Sequence, residues 1–312
     1  MSMTLEGLMN YYRGVRSISE ATCATYECAV SQFIKVLRSR DKKISEYTID
    51  DAIEFKQEIL NRATPITFNS YSRSLSALFN YAVRREWMSC NPFNEVAKAR
   101  VLEQRKKVVD LNILPDVPSR ILGMLNAKFW PEDIAIRFSV FWSLVLRTFF
   151  YTGMRRRQLA GLNWADLMFE DSIIRLSSCY SKTGSERSIP MPEQIWFELW
   201  LLKQEIIRIR GYLPMDEQVF NVRWFLPERY AKNIQNRTSP AYFTHYLKRF
   251  GYKAEIHITP HRLRHTVATE LCKKQQNLRC VQELLGHSDI RMTAQYAHPD
   301  LAGMRLMLSS LI

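Results

Sequence analysis

A chain of 312 residues is long enough for two domains of ordinary size, and its 46% apolar content excludes long disordered stretches. Lysine and arginine number 44 against 31 aspartate and glutamate residues, and the net charge of +13 attracts the chain to nucleic acid unless its basic faces are merely solvated. No stretch reaches the ~20 apolar residues that span a bilayer, so we expect a soluble, cytoplasmic protein with no membrane partner.

The first hundred residues predict helices alone. Three amphipathic runs cover about residues 17–38, 48–60 and 65–90, and capping residues or a proline mark their starts. We therefore expect a small all-helical domain over residues 1–95.

A basic stretch separates this domain from the rest of the chain. Residues 96–110 read VAKARVLEQRKKVVD and have no apolar period, which is typical of a linker. We place the domain boundary near Lys107. The stretch is either a solvated connector or a contact to phosphates, and the sequence leaves both open.

The remaining residues, 111–312, begin with helices, the longest over about residues 131–151. Three short strands are expected next, at about residues 167–170, 172–177 and 187–191, and Lys182 lies in the turn between the last two. Helical periodicity then returns. The predicted fold is mainly α, with a helical domain followed by a mixed α/β domain that carries a small three-stranded antiparallel sheet.

The six cysteines offer neither a zinc site nor a disulfide framework. They are scattered, without a C-x-x-C pair or a suitably spaced histidine: Cys23, Cys28, Cys90, Cys179, Cys272 and Cys280. No cluster of carboxylates is present to bind another metal. We expect no metal and no cofactor.

Four distant segments carry residue types that complement one another chemically. They are Arg155 in Thr-Gly-Met-Arg, Lys182 in the hairpin, His261 and Arg264 in His-Arg-Leu-Arg-His, and His287 in Leu-Gly-His followed nine residues later by Tyr296. Each alone has a plain alternative explanation, such as a surface arginine, a turn lysine or a half-buried aromatic. Together they suit attack on a phosphodiester.

The chemistry assigns each side chain a part. Arg155 and Arg264 provide guanidinium forks for the non-bridging oxygens. Tyr296 is a nucleophile whose phenol, with an ordinary pKa of about 10, needs a proton acceptor or a cationic surround. His261 is the candidate acceptor and Lys182 the candidate donor to the leaving 5′ oxygen.

This set resembles the signature of the tyrosine recombinase (phage integrase) family. That signature consists of a TG-x-R motif (the arginine box), a hairpin lysine, an H-x-x-R motif (the histidine box), a Leu-Gly-His motif and a tyrosine about nine residues later, in this order. The resemblance implies an active site of Arg155, Lys182, His261, Arg264, His287 and Tyr296, in which Tyr296 is the nucleophile and His287 steadies the charge. It covers nearly the whole chain and implies a core-binding domain over 1–95, a linker over 96–110 and a catalytic domain over 111–312, in a compact, Xer-like layout.

Four further positions lie close to these motifs in the sequence: Met154, Gln158, His265 and His298. Gln158 replaces the acidic residue that many relatives carry, and we expect its amide to hold a neighbour by hydrogen bonding and to modulate activity. Met154 is a volume-conserving change from the commoner leucine. His265 and His298 are expected to pack or to support the site.

The resemblance implies a site-specific recombinase that forms a 3′-phosphotyrosyl link for integration, excision or dimer resolution. The implied partners are double-stranded DNA with a specific site and further copies of the chain, which would be a monomer or weak oligomer when free and a homotetramer on DNA. An accessory DNA-bending or directionality protein is left open. Residues 299–312 have an apolar stripe that would dock on a neighbouring protomer or pack on their own domain. A type IB topoisomerase, an inactive DNA-binding regulator and chance matches are the alternatives.

Overall fold

A computed structural model describes residues 3–101, 108, 109, 119, 123, 132–180, 186–225, 237–253, 257–274, 277–296 and 309. The chain divides into two compact units, Met1–Arg105 and Lys106–Ile312. Lys182, His298 and most of residues 299–312 lie outside the described residues. Within the described ranges, no helix is long and apolar enough to cross a membrane.

The first unit is helical. Its helices are α1 Leu5–Val15, α2 Glu20–Leu37, α3 Ile49–Arg62 and α4 Pro65–Arg84. A threonine or serine side chain caps the start of each one by accepting a backbone N–H. The predicted helical character is therefore confirmed, and α1 precedes the first helix that the sequence predicted.

Aromatic rings fill the core of this unit. Phe33 lies 5.0 Å from Phe55 and 5.5 Å from Phe93 between ring centroids, in tilted or edge arrangements. Burying each such side chain contributes about 1.5–3 kcal/mol. The segment around Ala99, near the end of this unit, is held against α4, because the Asn69 side-chain amide exchanges two 2.9 Å hydrogen bonds with the backbone of Ala99.

The second unit combines helices with one small sheet. Its helices are α5 Glu132–Thr152, α6 Arg156–Gly161, α7 Glu193–Arg210, α8 Pro240–Lys253, α9 Pro260–Lys274, α10 Leu278–Leu285 and α11 Arg291–Ala294. Its strands are β1 Leu167–Met168, β2 Ile173–Leu176 and β3 Arg187–Pro190, in the antiparallel order β1-β2-β3. The predicted class, mainly α with a three-stranded antiparallel sheet, is confirmed.

Helices α5 and α9 pack together at the centre of this unit. Trp142 and Phe149 on α5 and Leu263 on α9 are fully or almost fully buried. Helix α5 ends at Thr152, and the φ of +59° at the following Gly153 turns the chain sharply so that Arg155 becomes the N-cap of α6. The packing of α5 on α9 thus places the first arginine box beside the histidine box.

Candidate active site

The sequence-predicted residues that the structure describes converge on one cavity of about 830 Å³. Five of the six line it: Arg155, His261, Arg264, His287 and Tyr296. The sixth, Lys182, is outside the described residues. Residues that are up to 141 positions apart, from Arg155 to Tyr296, therefore share one site.

Arg155 is fixed at both its backbone and its side chain. Its backbone N–H donates to the Gln158 side-chain oxygen at 2.8 Å, and its Nη2 donates to the Gly286 carbonyl at 2.7 Å. Gln158 is buried, so it holds the neighbouring arginine through an uncharged hydrogen bond. Burial lowers the pKa of the Arg155 guanidinium.

Arg264 lies deeper, with 8% of its surface exposed. Its Nη1 donates to the Gly153 carbonyl at 2.6 Å and its Nη2 to the Leu285 carbonyl at 2.5 Å. Burial, and then the guanidinium groups of Arg155 and Arg187, lower the pKa of Arg264 to about 9. The site therefore concentrates positive charge where an anion would relieve the repulsion.

A third arginine, Arg187 at the start of β3, completes this arrangement. Its Nη1 donates to the carbonyls of Glu283 and Leu284 at 2.7 and 2.6 Å. Arg187, Arg264 and Arg155 thus bind four consecutive carbonyls, those of residues 283–286, at the C-terminal end of α10. That end carries partial negative charge, which stabilises the three guanidinium groups.

Two histidines lie one turn apart at the start of α9. The Nε2 atoms of His261 and His265 are 2.7 Å apart, and their ring centroids are separated by 4.1 Å. A hydrogen bond between two ring nitrogens needs one donor and one acceptor, so at least one of the two rings is neutral. His261 is exposed to the cavity and His265 is buried behind it.

His287 follows the αL turn at Gly286 and is buried. Its Nδ1 lies 2.8 Å from the Thr293 hydroxyl, and its carbonyl accepts a hydrogen bond from Gln282 Nε2 at 2.9 Å. The first contact holds the ring and the second holds the backbone, and the ring stacks on Tyr296 with an interplanar angle of 17° and a centroid distance of 6.2 Å. The His287 ring, whose other nitrogen is Nε2, also lines the cavity.

Tyr296 is 7% exposed and packs against the apolar residues Ala268, Val281 and Leu285. Its ring centroid is 5.2 Å from that of His265. Burial raises the pKa of the phenol, the Arg264 guanidinium lowers it by a smaller amount, and Cys272 raises it further. The net direction is upward, so the nucleophile candidate is held in its neutral form.

The wall of the cavity carries further basic residues, Arg156, Arg157 and Lys248. Arg156 donates to the Thr244 hydroxyl at 2.7 Å. Such a surface suits the phosphate backbone of a nucleic acid. Within the part of the chain that is described, no group of three or more His, Cys, Asp or Glu side chains could hold a metal ion.

Sequence reasoning missed Arg187 and Thr293. A signal for Arg187 exists, because alternation along β3 puts it on the same face as the buried Ile189 and a charge on an inner face is unusual. Thr293 gives no such signal, since its contact with His287 depends on how the chain turns after α10.

Residues 121–302 match the model of the phage integrase family. The chain belongs to this family. A putative tyrosine recombinase XerC of Pseudomonas aeruginosa is 26% identical over 98% of this chain and 71% of its own length. A tyrosine recombinase of Thermosipho africanus is also 26% identical, over 96% of this chain and 95% of its own.

Solved integrase structures share the fold. The integrase of transposon Tn1549, in complex with a circular intermediate DNA, superposes with a TM-score of 0.72 at 21% identity, over 99% of this chain and 100% of that one. A lambda integrase dimer bound to a COC′ core site gives 0.69 at 18% identity, over 95% and 96% of the two chains. This integrase-family member is a site-specific DNA recombinase, as its sequence predicted.

Proposed function

We propose that the recombinase cleaves one strand of a specific double-stranded DNA site with Tyr296 and holds the cut end as a 3′-phosphotyrosyl link. The observation that carries this proposal is the single cavity shared by two arginines, two histidines and the tyrosine. These types match the needs of phosphodiester attack: anion binding, proton acceptance and a nucleophile.

Phosphate binding falls to Arg155 and Arg264. A guanidinium has five N–H donors. The hydrogen bonds of Arg264 to the Gly153 and Leu285 carbonyls use two of these donors and fix the plane of the group. The other donors can then meet the non-bridging oxygens without reorganisation, which is the condition for strong transition-state stabilisation.

In the proposed step, the Tyr296 oxygen bonds to phosphorus and the bond from phosphorus to the 5′ oxygen breaks. His261 takes the phenol proton, and Lys182 donates a proton to the leaving 5′ oxygen. His287, held by Thr293, steadies the charge on the phosphoryl group. The free 5′ hydroxyl of a partner strand reverses the step, so the link conserves the energy of the broken bond and needs no ATP.

Four such sites are required to exchange both strands of two duplexes, and we propose a homotetramer on DNA that forms from monomers or weak oligomers. Lambda integrase, a structural neighbour with a TM-score of 0.68 at 18% identity, has been solved as a tetramer bound to a Holliday junction. Residues 299–312 are the proposed docking segment. Their deletion should weaken tetramer assembly on DNA and spare binding to a single site, and an unchanged tetramer would contradict this role.

Suicide DNA substrates, whose nicked end diffuses away after cleavage, test the central assignment. Wild-type protein should accumulate a covalent adduct that denaturing gels and peptide mapping place on Tyr296. Tyr296→Phe should form none, while Tyr180→Phe, a change at another tyrosine of the same cavity wall, should form it normally. An adduct in Tyr296→Phe would show that the nucleophile is wrongly assigned.

A further inference from the structure

Arg187 lies against the turn at Gly286, the glycine of the Leu-Gly-His segment. Its two carbonyl contacts are to Glu283 and Leu284, and its guanidinium covers Gly286 closely. A Cβ atom added to Gly286 would lie 2.7 Å from the Arg187 Cζ. The arginine and the glycine therefore fit one another, and the fit fixes the position of the guanidinium relative to the end of α10.

The contacts of the three arginines follow one another along the backbone. Arg187 binds the carbonyls of residues 283 and 284, Arg264 that of residue 285, and Arg155 that of residue 286, and residue 287 is the proposed charge-steadying histidine. Each peptide unit is planar, and these four carbonyls belong to the last turn of α10 and its cap, where helical geometry limits how far one can move without its neighbours. A shift at the first two carbonyls is thus transmitted to the two that orient the phosphate-binding arginines.

The carboxylates nearest in sequence to these contacts pair with other arginines. Glu283 bonds to Arg279 at 2.8 Å, and Glu186 lies 4.0 Å from Arg175. Arg187 thus bonds to backbone carbonyls and keeps its positive charge close to Arg155, which together with burial lowers the pKa of Arg187 to about 10. Repulsion among the three guanidinium groups offsets part of the stabilisation that they receive from the end of α10, and a role in holding the site accounts for the third charge.

We propose that Arg187 is a positioning residue for DNA cleavage: it clamps the end of α10 so that the carbonyls of Leu285 and Gly286 hold Arg264 and Arg155 in register with the scissile phosphate. The inference rests on the proposed function, since it presumes that these two arginines bind that phosphate. Arg187 itself acts through them.

The first test compares Arg187→Met, Arg187→Lys and the matched control Arg175→Met, which removes an exposed arginine from the adjacent strand. Cleavage of suicide substrates is measured at saturating DNA, with DNA affinity and melting temperature measured alongside. Arg187→Met should cleave about 10- to 100-fold more slowly, the range expected for lost charge-assisted hydrogen bonds, while its Kd changes less than about threefold. Arg175→Met should behave as wild type.

Arg187→Lys keeps the charge and a donor but loses the planar fork. It should recover at least part of the lost rate and stay below wild type, and this variant decides the question if Arg187→Met does not fold. A wild-type cleavage rate in Arg187→Lys and Arg187→Met would overturn the inference, as would an equal loss in the Arg175→Met control.

A double-mutant cycle separates positioning from a general structural effect. In an Arg155→Lys background, Arg187→Met should cost clearly less than it does in wild type, because the group that it positions has already changed. Losses that simply multiply would refute the positioning role. A wild-type protein that forms no covalent adduct, or an adduct that survives Tyr296→Phe, would instead defeat the proposed function itself.

Discussion

Replacing Gly153 by alanine tests how strongly the first arginine box depends on its backbone turn. Gly153 has a φ of +59°, a conformation that costs an L-residue about 1–2 kcal/mol. An added Cβ would also lie 2.9 Å from Leu285 Cδ2 and 3.2 Å from Val267 Cγ1, two buried side chains. Overpacking of this kind costs about 1–3 kcal/mol, so Gly153→Ala should lose about 2–5 kcal/mol of unfolding free energy.

Gly211→Ala is the matched control. Gly211 ends α7 with a φ of +79°, and an added Cβ would meet no atom within 4 Å. It isolates the backbone cost of about 1–2 kcal/mol. The lower chain entropy of the unfolded alanine variants is common to both and cancels.

Urea denaturation of both variants gives the comparison, provided that the slope with denaturant is unchanged. Gly153→Ala should be less stable than Gly211→Ala by about 1–3 kcal/mol, the steric contribution alone. It should also cleave suicide substrates more slowly under conditions where it is fully folded, because the Gly153 carbonyl holds Arg264 Nη1. Equal stability in the two variants would refute the steric argument, and a normal cleavage rate would refute the coupling to Arg264.

Three further outcomes are expected. Thr293→Val removes the hydroxyl 2.8 Å from His287 Nδ1 and should slow cleavage about tenfold, as the loss of a buried hydrogen bond of 1–3 kcal/mol implies; wild-type single-turnover kinetics would contradict it. Lys182→Ala should be slow on ordinary DNA but nearly normal on DNA whose bridging 5′ oxygen is sulfur, because a thiol, with a pKa of about 8.5, leaves without a proton donor; an equal defect on both substrates would exclude the proton-donor role. Burial raises the pKa of Tyr296, so the phenol is protonated at pH 7 and the cleavage rate of the wild type should increase from pH 6 to pH 9; a flat profile for the chemical step would argue against deprotonation of this phenol.

Helix and strand positions followed from local signals. The starts of α2 and α3 coincide with serine and threonine caps that the sequence displays, and β2 and β3 lie within the predicted runs. Helix α1 was missed although Thr4 caps it, because only three of its eleven residues, Leu5, Leu8 and Met9, are buried and its apolar period is short.

The candidate site was predictable as a set of residues but not as a set of contacts. His261 and Arg264 are three positions apart on α9, so their shared face follows from helix geometry. The binding of three arginines to the end of α10 does not follow from any local pattern, since it joins β3, α6 and α9 to a helix about 100 residues later than β3. Sequence patterns identify the side chains of such a site, and only tertiary packing shows which backbone groups orient them.

The surroundings of Tyr296 also support the proposal that the site uses a proton acceptor as well as arginines. Burial is the largest influence on the pKa of Tyr296 and raises it, the charge of Arg264 lowers it, and Cys272 raises it further. A bound phosphate would neutralise part of the Arg264 charge and weaken its lowering effect at the moment when the phenol must ionise. We therefore expect that the proposed nucleophile does not rely on charge alone and passes its proton to a base. The hydrogen-bonded pair of His261 and His265, with the His265 ring 5.2 Å from that of Tyr296, is placed to serve as the proposed base.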